Sequence, residues 1–286
     1  MEQNYFVDIP DVVSVSKISD IRPTGDLSSV ILYKEAFNNF EEDVLRSNSH
    51  HLEKERMPAH WSAEHLPDSD SFDYICRVFR ERLPLLDDLK GVVSFSGDSI
   101  ALVGGGSSLK KGNYSDDIDS YKIILRMNHP YLEEYFQYTG TKTTVHFINE
   151  RRCYELVSGS PVSGFSPQGI LNVFSGTTNE TAALLEYARY LDNDGDPSQY
   201  FVLKPSFRKT IDIFHGDEMN PSLGFISVCF SLRVYENIHL YGYDMGQGDG
   251  TNYHGRSKIH PAHDPVKEAL SFLDCESSLN GFHIYR

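Results

Sequence analysis

The chain has no apolar run approaching the roughly 20 residues that a membrane-crossing helix needs. Its first residues, MEQNYFVDIPDVVSV, lack a basic stretch followed by an apolar one, so no secretory signal is read there. On these two absences the chain is expected to be cytoplasmic, with no membrane segment. Positive charge is also scarce, with 26 Lys and Arg against 41 Asp and Glu and a net charge of −15. Nucleic-acid binding requires clustered cations to neutralise phosphates, so no nucleic-acid partner is expected. A small anionic ligand, met by a few local groups, is not excluded. There are only four cysteines, Cys76, Cys153, Cys229 and Cys275, with no C-x-x-C pair, which argues against a zinc site. Free thiols in a reducing compartment are the expectation. The His-rich stretch from His50 to Leu66 has no H-E-x-x-H spacing and reads as an exposed helix or loop.

Short apolar runs recur beyond about residue 99. SIALVGG from Ser99, YKIILRMN from Tyr121, TTVHFIN from Thr143, ILNVF from Ile170, YFVLKP from Tyr200 and IHLYGYD from Ile238 all read as buried strands. Helical spacing of apolar residues follows Phe72, Thr181 and Ser222. Strands alternating with helices predict an α/β fold, a single Rossmann-like domain with a mostly parallel sheet flanked by helices. Residues 1–70 are expected to form an irregular or helical extension and residues 71–286 the catalytic domain.

VGGGSSL, Val103 to Leu109, is a glycine-rich turn after a strand, where backbone N–H groups can approach a phosphate or ribose. It is not G-x-G-x-x-G, because Leu109 stands at the third glycine position, and this argues against a dinucleotide-dependent oxidoreductase. The wider stretch ALVGGGSSLKKGNYSDDIDSYKIILRMN is similar to the large sialylmotif of glycosyltransferase family 29, the sialyltransferases. Val103, Gly104 and Leu109 match its turn, Ile118–Ser120 its I-D-S, and Leu125–Asn128 its R-M-N end. GTKTTVHF from Gly140 resembles a segment of the 2,3-linking galactoside enzymes. Pro221, Ser222 and Gly224 match the small motif's P-S-T-G, and Tyr241–Tyr243 its Y-G-F. Tyr253-His254 stands at the third motif, and His263 to Glu268 gives the very-small motif H-x-x-x-x-E. The chain departs from the family at Gly105 in the glycine turn, and at Ile100 and Tyr235, where the family carries its disulfide cysteines.

The resemblance implies the GT-A variant fold of sialyltransferases and inverting transfer of sialic acid from CMP-sialic acid to an acceptor hydroxyl. The GTKTT segment tilts the acceptor towards a terminal galactoside. CMP-Kdo is the alternative donor, and an inactive glycan- or nucleotide-binding relative the alternative of another class. His263 is implied as the base and His254 as the phosphate partner. Gly104, Gly105, Gly106, Ser108, Asn128, Ser222, Leu223, Gly224 and Tyr253 are implied as donor-binding. No metal is expected, although Asp192-Asn193-Asp194 has an Asp-x-Asp spacing. The partners implied are a CMP-sugar donor and a glycan acceptor, with the Golgi lumen as the alternative compartment.

Overall fold

The computed structural model describes residues 17–49, 69–90, 92, 97–128, 132–149, 169–172, 178–215, 220–244 and 263–286. Among the described residues seven strands form one sheet: β1 Ser99–Val103, β2 Ile124–Met127, β3 Val145–Asn149, β4 Gly169–Asn172, β5 Tyr200–Val202, β6 Asn237–Tyr241 and β7 Phe282–Tyr285. Their order across the sheet is β5-β4-β3-β2-β1-β6-β7, and every neighbouring pair is parallel. The chain therefore steps outward from β1 to β5 and returns to place β6 on the other side of β1. In open α/β sheets ligands bind at such a reversal, beyond the carboxyl ends of the strands.

Alternation along the strands builds a core on each face. Ile100 and Leu102 of β1, Leu125 of β2, Val145 and Phe147 of β3, and Ile238 and Leu240 of β6 share one apolar cluster. Ala101, Val103, Ile124 and Tyr241 belong to a second cluster, with Ile118 and Leu109. Helix α1 spans Glu42–Ser49 and α2 Ser69–Arg82; α3 covers Ser115–Ser120, α4 Leu132–Thr139 and α5 Thr178–Asp192. They are followed by α6 Pro205–His215, α7 Leu223–Val234 and α8 Pro265–Ser278. The first cluster is covered by Phe225–Val234 of α7, Phe207 and Ile211 of α6, and Phe272 and Cys275 of α8. A third cluster joins Phe72–Leu83 of α2 and Ala183–Leu191 of α5 to Ile148 and Val202. The helix expected from Phe72 thus forms, and it stops at Arg82, two residues before Pro84.

Helix α7 is buried almost all round, from Phe225 to Leu232. It tolerates two serines because Ser227 and Ser231 donate to the carbonyls of Gly224 and Ser227, each at 2.8 Å. The early part of the chain also contributes to the core. Leu27, Val30 and Ile31 are buried in the first cluster, Leu32 and Phe37 in the third. Among the described residues no helix is long and apolar enough to cross a membrane.

Ile100 and Tyr235, at the cysteine positions of the resembled motifs, are 0% and 2% exposed and packed in the first cluster. Cys76, Cys229 and Cys275 are free and buried. Burial pushes the thiols of Cys76 and Cys275 up to about 12, and that of Cys229 well above its ordinary value. A reducing agent is therefore expected to leave the melting temperature unchanged, with a thiol reagent reaching these three side chains only on unfolding. A fall of several degrees on reduction would reveal a bridge, since a native disulfide is worth about 2–4 kcal/mol.

Candidate active site

The turns after β1 and β6 meet at the reversal point. Gly104 N–H donates to Tyr241 O at 2.7 Å and Gly106 N–H to Gly242 O at 2.8 Å. A Cβ on Gly104 would lie 2.6 Å from Gly242 O, and one on Gly106 2.5 Å from the same oxygen. Gly242 itself has φ +70°, a left-handed conformation that favours glycine. The run of glycines thus lets two backbones pack in contact. Ser107 N–H and Oγ–H donate to Asp244 Oδ2 at 2.6 and 3.0 Å, and Ser108 N–H donates to Asp244 Oδ1 at 3.2 Å. The N–H groups expected to cradle the donor at Gly104, Gly106 and Ser108 are therefore engaged inside the protein. Ser108 Oγ is buried and has no hydrogen-bond partner among the described residues.

Asn128 follows β2 with φ 49°, in the left-handed region that Asn tolerates better than most residues. Its N–H donates to Phe147 O, and its Oδ1 accepts from Asn149 N–H at 3.2 Å. The side-chain carbonyl is thereby fixed on the protein, which orients the Nδ2 donor. A non-glycine residue held in this conformation at a strand end fits a site whose geometry is imposed by function. Tyr243 connects this strand to α7: its hydroxyl lies 3.2 Å from Ser227 Oγ and 3.8 Å from Met127 Sδ.

Helix α7 begins at the crevice. Ser222 caps it by accepting from Phe225 N–H at 3.0 Å. Ser222 also donates through N–H to Glu268 Oε1 and through Oγ–H to Glu268 Oε2, both at 2.6 Å. Glu268, on α8, is only 7% exposed, and His215 Nε2 lies 3.4 Å from its carboxylate. His263 Nδ1 lies 2.9 Å from Asn220 O. That carbonyl only accepts, so Nδ1 carries the proton and Nε2 is the basic nitrogen. His263 and Glu268 therefore hold the two ends of Asn220–Ser222, joining the very-small motif to the small one. Leu223 and Gly224 bring first-turn N–H groups that no intrahelical bond uses, at the positive end of the helix dipole.

The structure brings Gly104–Ser108, Ser222–Gly224, Asn128 and His263 to the carboxyl-end edge of the sheet. Tyr253 and His254 lie outside the described residues. GTKTT, which carried the galactoside expectation, precedes β3 at the opposite edge. There Asp119 accepts from Thr141 N–H and Oγ1–H, each at 2.8 Å, and from Lys142 N–H at 2.9 Å. Arg126, 1% exposed, donates to Thr139 O and Lys142 O. Burial alone would raise the Asp119 carboxyl, but these donors outweigh it and hold the group below its usual range. Asp192 is engaged by Tyr74 and Arg77, and Asp194, with φ 59°, by Arg82, ahead of β5 at that same far edge. Sequence spacing gives no signal of the partner of Glu268, which is Ser222, 46 residues away. It also missed Asp244, which no motif marks. Replacing Glu268 by Ala is expected to cost about 1–3 kcal/mol, as a buried N–H loses its acceptor, with Gln keeping part of this. Equal unfolding curves for Glu268→Ala and wild type would refute the clamp.

Residues 44–262 match the family described as glycosyltransferase family 29 (sialyltransferase). A pig CMP-N-acetylneuraminate-beta-galactosamide-alpha-2,3-sialyltransferase 1 is 26% identical over 250 residues, 80% of this chain and 68% of that one. The chicken counterpart is 28% identical over 165 residues, 55% of this chain and 47% of that one. A beta-1,6-galactosyltransferase of Arabidopsis thaliana is 37% identical over 220 residues, 68% of this chain and 55% of that one. The chain thus spans about half the length of the chicken and Arabidopsis relatives. A crystal structure of a mammalian sialyltransferase superposes with a TM-score of 0.51 at 20% identity, covering 92% of this chain and 99% of that one, which shows the shared fold. The alpha-2,3-sialyltransferase relatives are Golgi-type and typically lumenal, which overturns the cytoplasmic expectation. That expectation rested on the two missing segments; Cys76, Cys229 and Cys275 are free and buried. The chain belongs to glycosyltransferase family 29, the sialyltransferase family.

Proposed function

We propose that this chain transfers sialic acid from CMP-sialic acid to a hydroxyl of a terminal galactoside, with inversion. The observation that carries the reading is the double clamp in which His263 and Glu268 grip Asn220–Ser222. It fixes a base with a basic Nε2 beside a helix N-terminus suited to an anion. His263 Nε2 takes the proton of the acceptor hydroxyl, whose oxygen attacks the anomeric carbon while the bond to the phosphate oxygen breaks and CMP leaves. The first-turn N–H groups at Leu223 and Gly224, with His254, stabilise the departing phosphate. Asn128 directs its Nδ2 donor at the nucleotide.

The reaction proceeds without a metal in this reading. The Asp-x-Asp candidate supports it through its commitments: Asp192 and Asp194 answer arginines at the far edge of the sheet. A monophosphate leaving group also carries less charge than a diphosphate, and helix N–H groups can meet it.

A donor panel tests the function. CMP-sialic acid, CMP-Kdo and UDP-galactose are each offered with a terminal galactoside, and nucleotide release and product are read. Acceptor-dependent CMP release from CMP-sialic acid, unchanged in excess EDTA, is expected. Release of UDP from UDP-galactose alone would move the chain to the activity named for the Arabidopsis relative. Restoration of an EDTA-treated protein by manganese would sink the metal-free step. His263→Ala is expected to lower turnover by ~10²–10⁴ while CMP affinity holds. Asn128→Ala is expected to weaken CMP by ~1–3 kcal/mol. Near-normal turnover in the first variant, or unchanged CMP affinity in the second, would contradict these roles.

A further inference from the structure

The end of β6 and the turn after it touch the turn after β1, the end of β2 and helix α7. Tyr241 O and Gly242 O hold the N–H groups of Gly104 and Gly106. Tyr243 reaches Ser227 of α7 and Met127, the residue before Asn128. Asp244 accepts from Ser107 N–H, Ser107 Oγ–H and Ser108 N–H. Its carboxylate also lies against Gly106, where an added Cβ would overlap it. A series of N–H groups aimed at one point is an anion-binding nest, and here the nest is filled from within.

We infer that Asp244 is a positioning residue for donor binding: its carboxylate fixes the turn after β1 in the shape that receives the nucleotide. The inference rests on the proposed transfer reaction. Three observations carry it. Asp244 and Ser107 are 137 residues apart in sequence, so the bonds join separate turns. The donors are two backbone N–H groups and a hydroxyl meeting an ionised acceptor, the stronger kind of hydrogen bond. The bonds sit at the switch point between β1 and β6. With this nest occupied, the donor's phosphate is left to the first turn of α7, and the turn after β1 contributes a wall shaped by Gly104–Gly106.

Asp244→Ala and Asp244→Asn test this, with donor KM, kcat and amide exchange of the 104–110 segment measured for each. Asp244→Ala is expected to raise the KM for CMP-sialic acid roughly tenfold or more, the scale set by lost charge-assisted hydrogen bonds. Turnover at saturation should stay within about threefold of wild type, and exchange at Ser107 and Ser108 should accelerate. Asp244→Asn, which keeps one acceptor oxygen, should fall between the two. An unchanged donor KM would overturn the inference, as would a parallel fall of kcat and melting temperature with KM unaltered. Unchanged exchange in Asp244→Ala would overturn it at the structural level. Should wild type transfer from no nucleotide sugar, the transfer reading fails, and the exchange result still decides whether Asp244 holds the turn.

Discussion

One interaction recurs at several turns and helix starts of this chain: a carboxylate that accepts from both the N–H and the hydroxyl of one Ser or Thr. Glu41 does so with Ser206 at the start of α6, Asp119 with Thr141 before β3, Asp244 with Ser107 after β1, and Glu268 with Ser222 at the start of α7. The physical need is the same each time. Turns and helix starts leave N–H groups without intrahelical acceptors, and an anion answers them most strongly. Such a clamp can be buried because its charge is met by donors. Glu41, 3% exposed, shows the tension: burial raises its carboxyl above the usual range, although the two bonds from Ser206 pull the other way. Part of the chain's large acidic excess is therefore structural.

Two of these clamps shape the candidate site. Asp244 fixes the turn after β1, and Glu268 fixes the start of α7. His263 hangs from the same short segment that Glu268 grips. The proposed donor crevice is thus bounded by turns whose positions are set by residues far away in sequence. This is why a glycine-rich turn that looks built to hold phosphate can instead be built to pack against Gly242. The glycines supply close approach, and the anion in their nest is the protein's own.

The strands were legible because each is a short apolar run bounded by polar or glycine residues: β1, β2, β3 and β5 lie within the runs read for them, and β4 and β6 each begin one residue earlier. β7 was missed. FHIY alternates apolar and polar residues at the sheet edge, and its His283 and Tyr285 stack on His239 and Tyr241 of the neighbouring strand. Helix α6 was missed, although its Pro205 sits favourably at the helix start. Motif order made His263, Asn128 and Ser222 legible as candidates. Glu268's true partner and all of Asp244's role were not, since spacing within a motif carries no record of contacts 46 or 137 residues away. The compartment was misread because it was inferred from the absence of a signal and of a membrane-crossing run, and neither absence places a chain in a compartment.

The central claim is that the crevice between the turns after β1 and β6 and the start of α7 binds the cytidine monophosphate of the donor. A crystal structure of the protein soaked with CMP tests it most directly. The account predicts the phosphate against the Leu223 and Gly224 N–H groups, Asn128 Nδ2 within hydrogen-bond distance of the nucleotide, and Asp244 still seated on Ser107 and Ser108. CMP bound elsewhere on the molecule, or a phosphate that displaces Asp244 from the glycine turn, would contradict it.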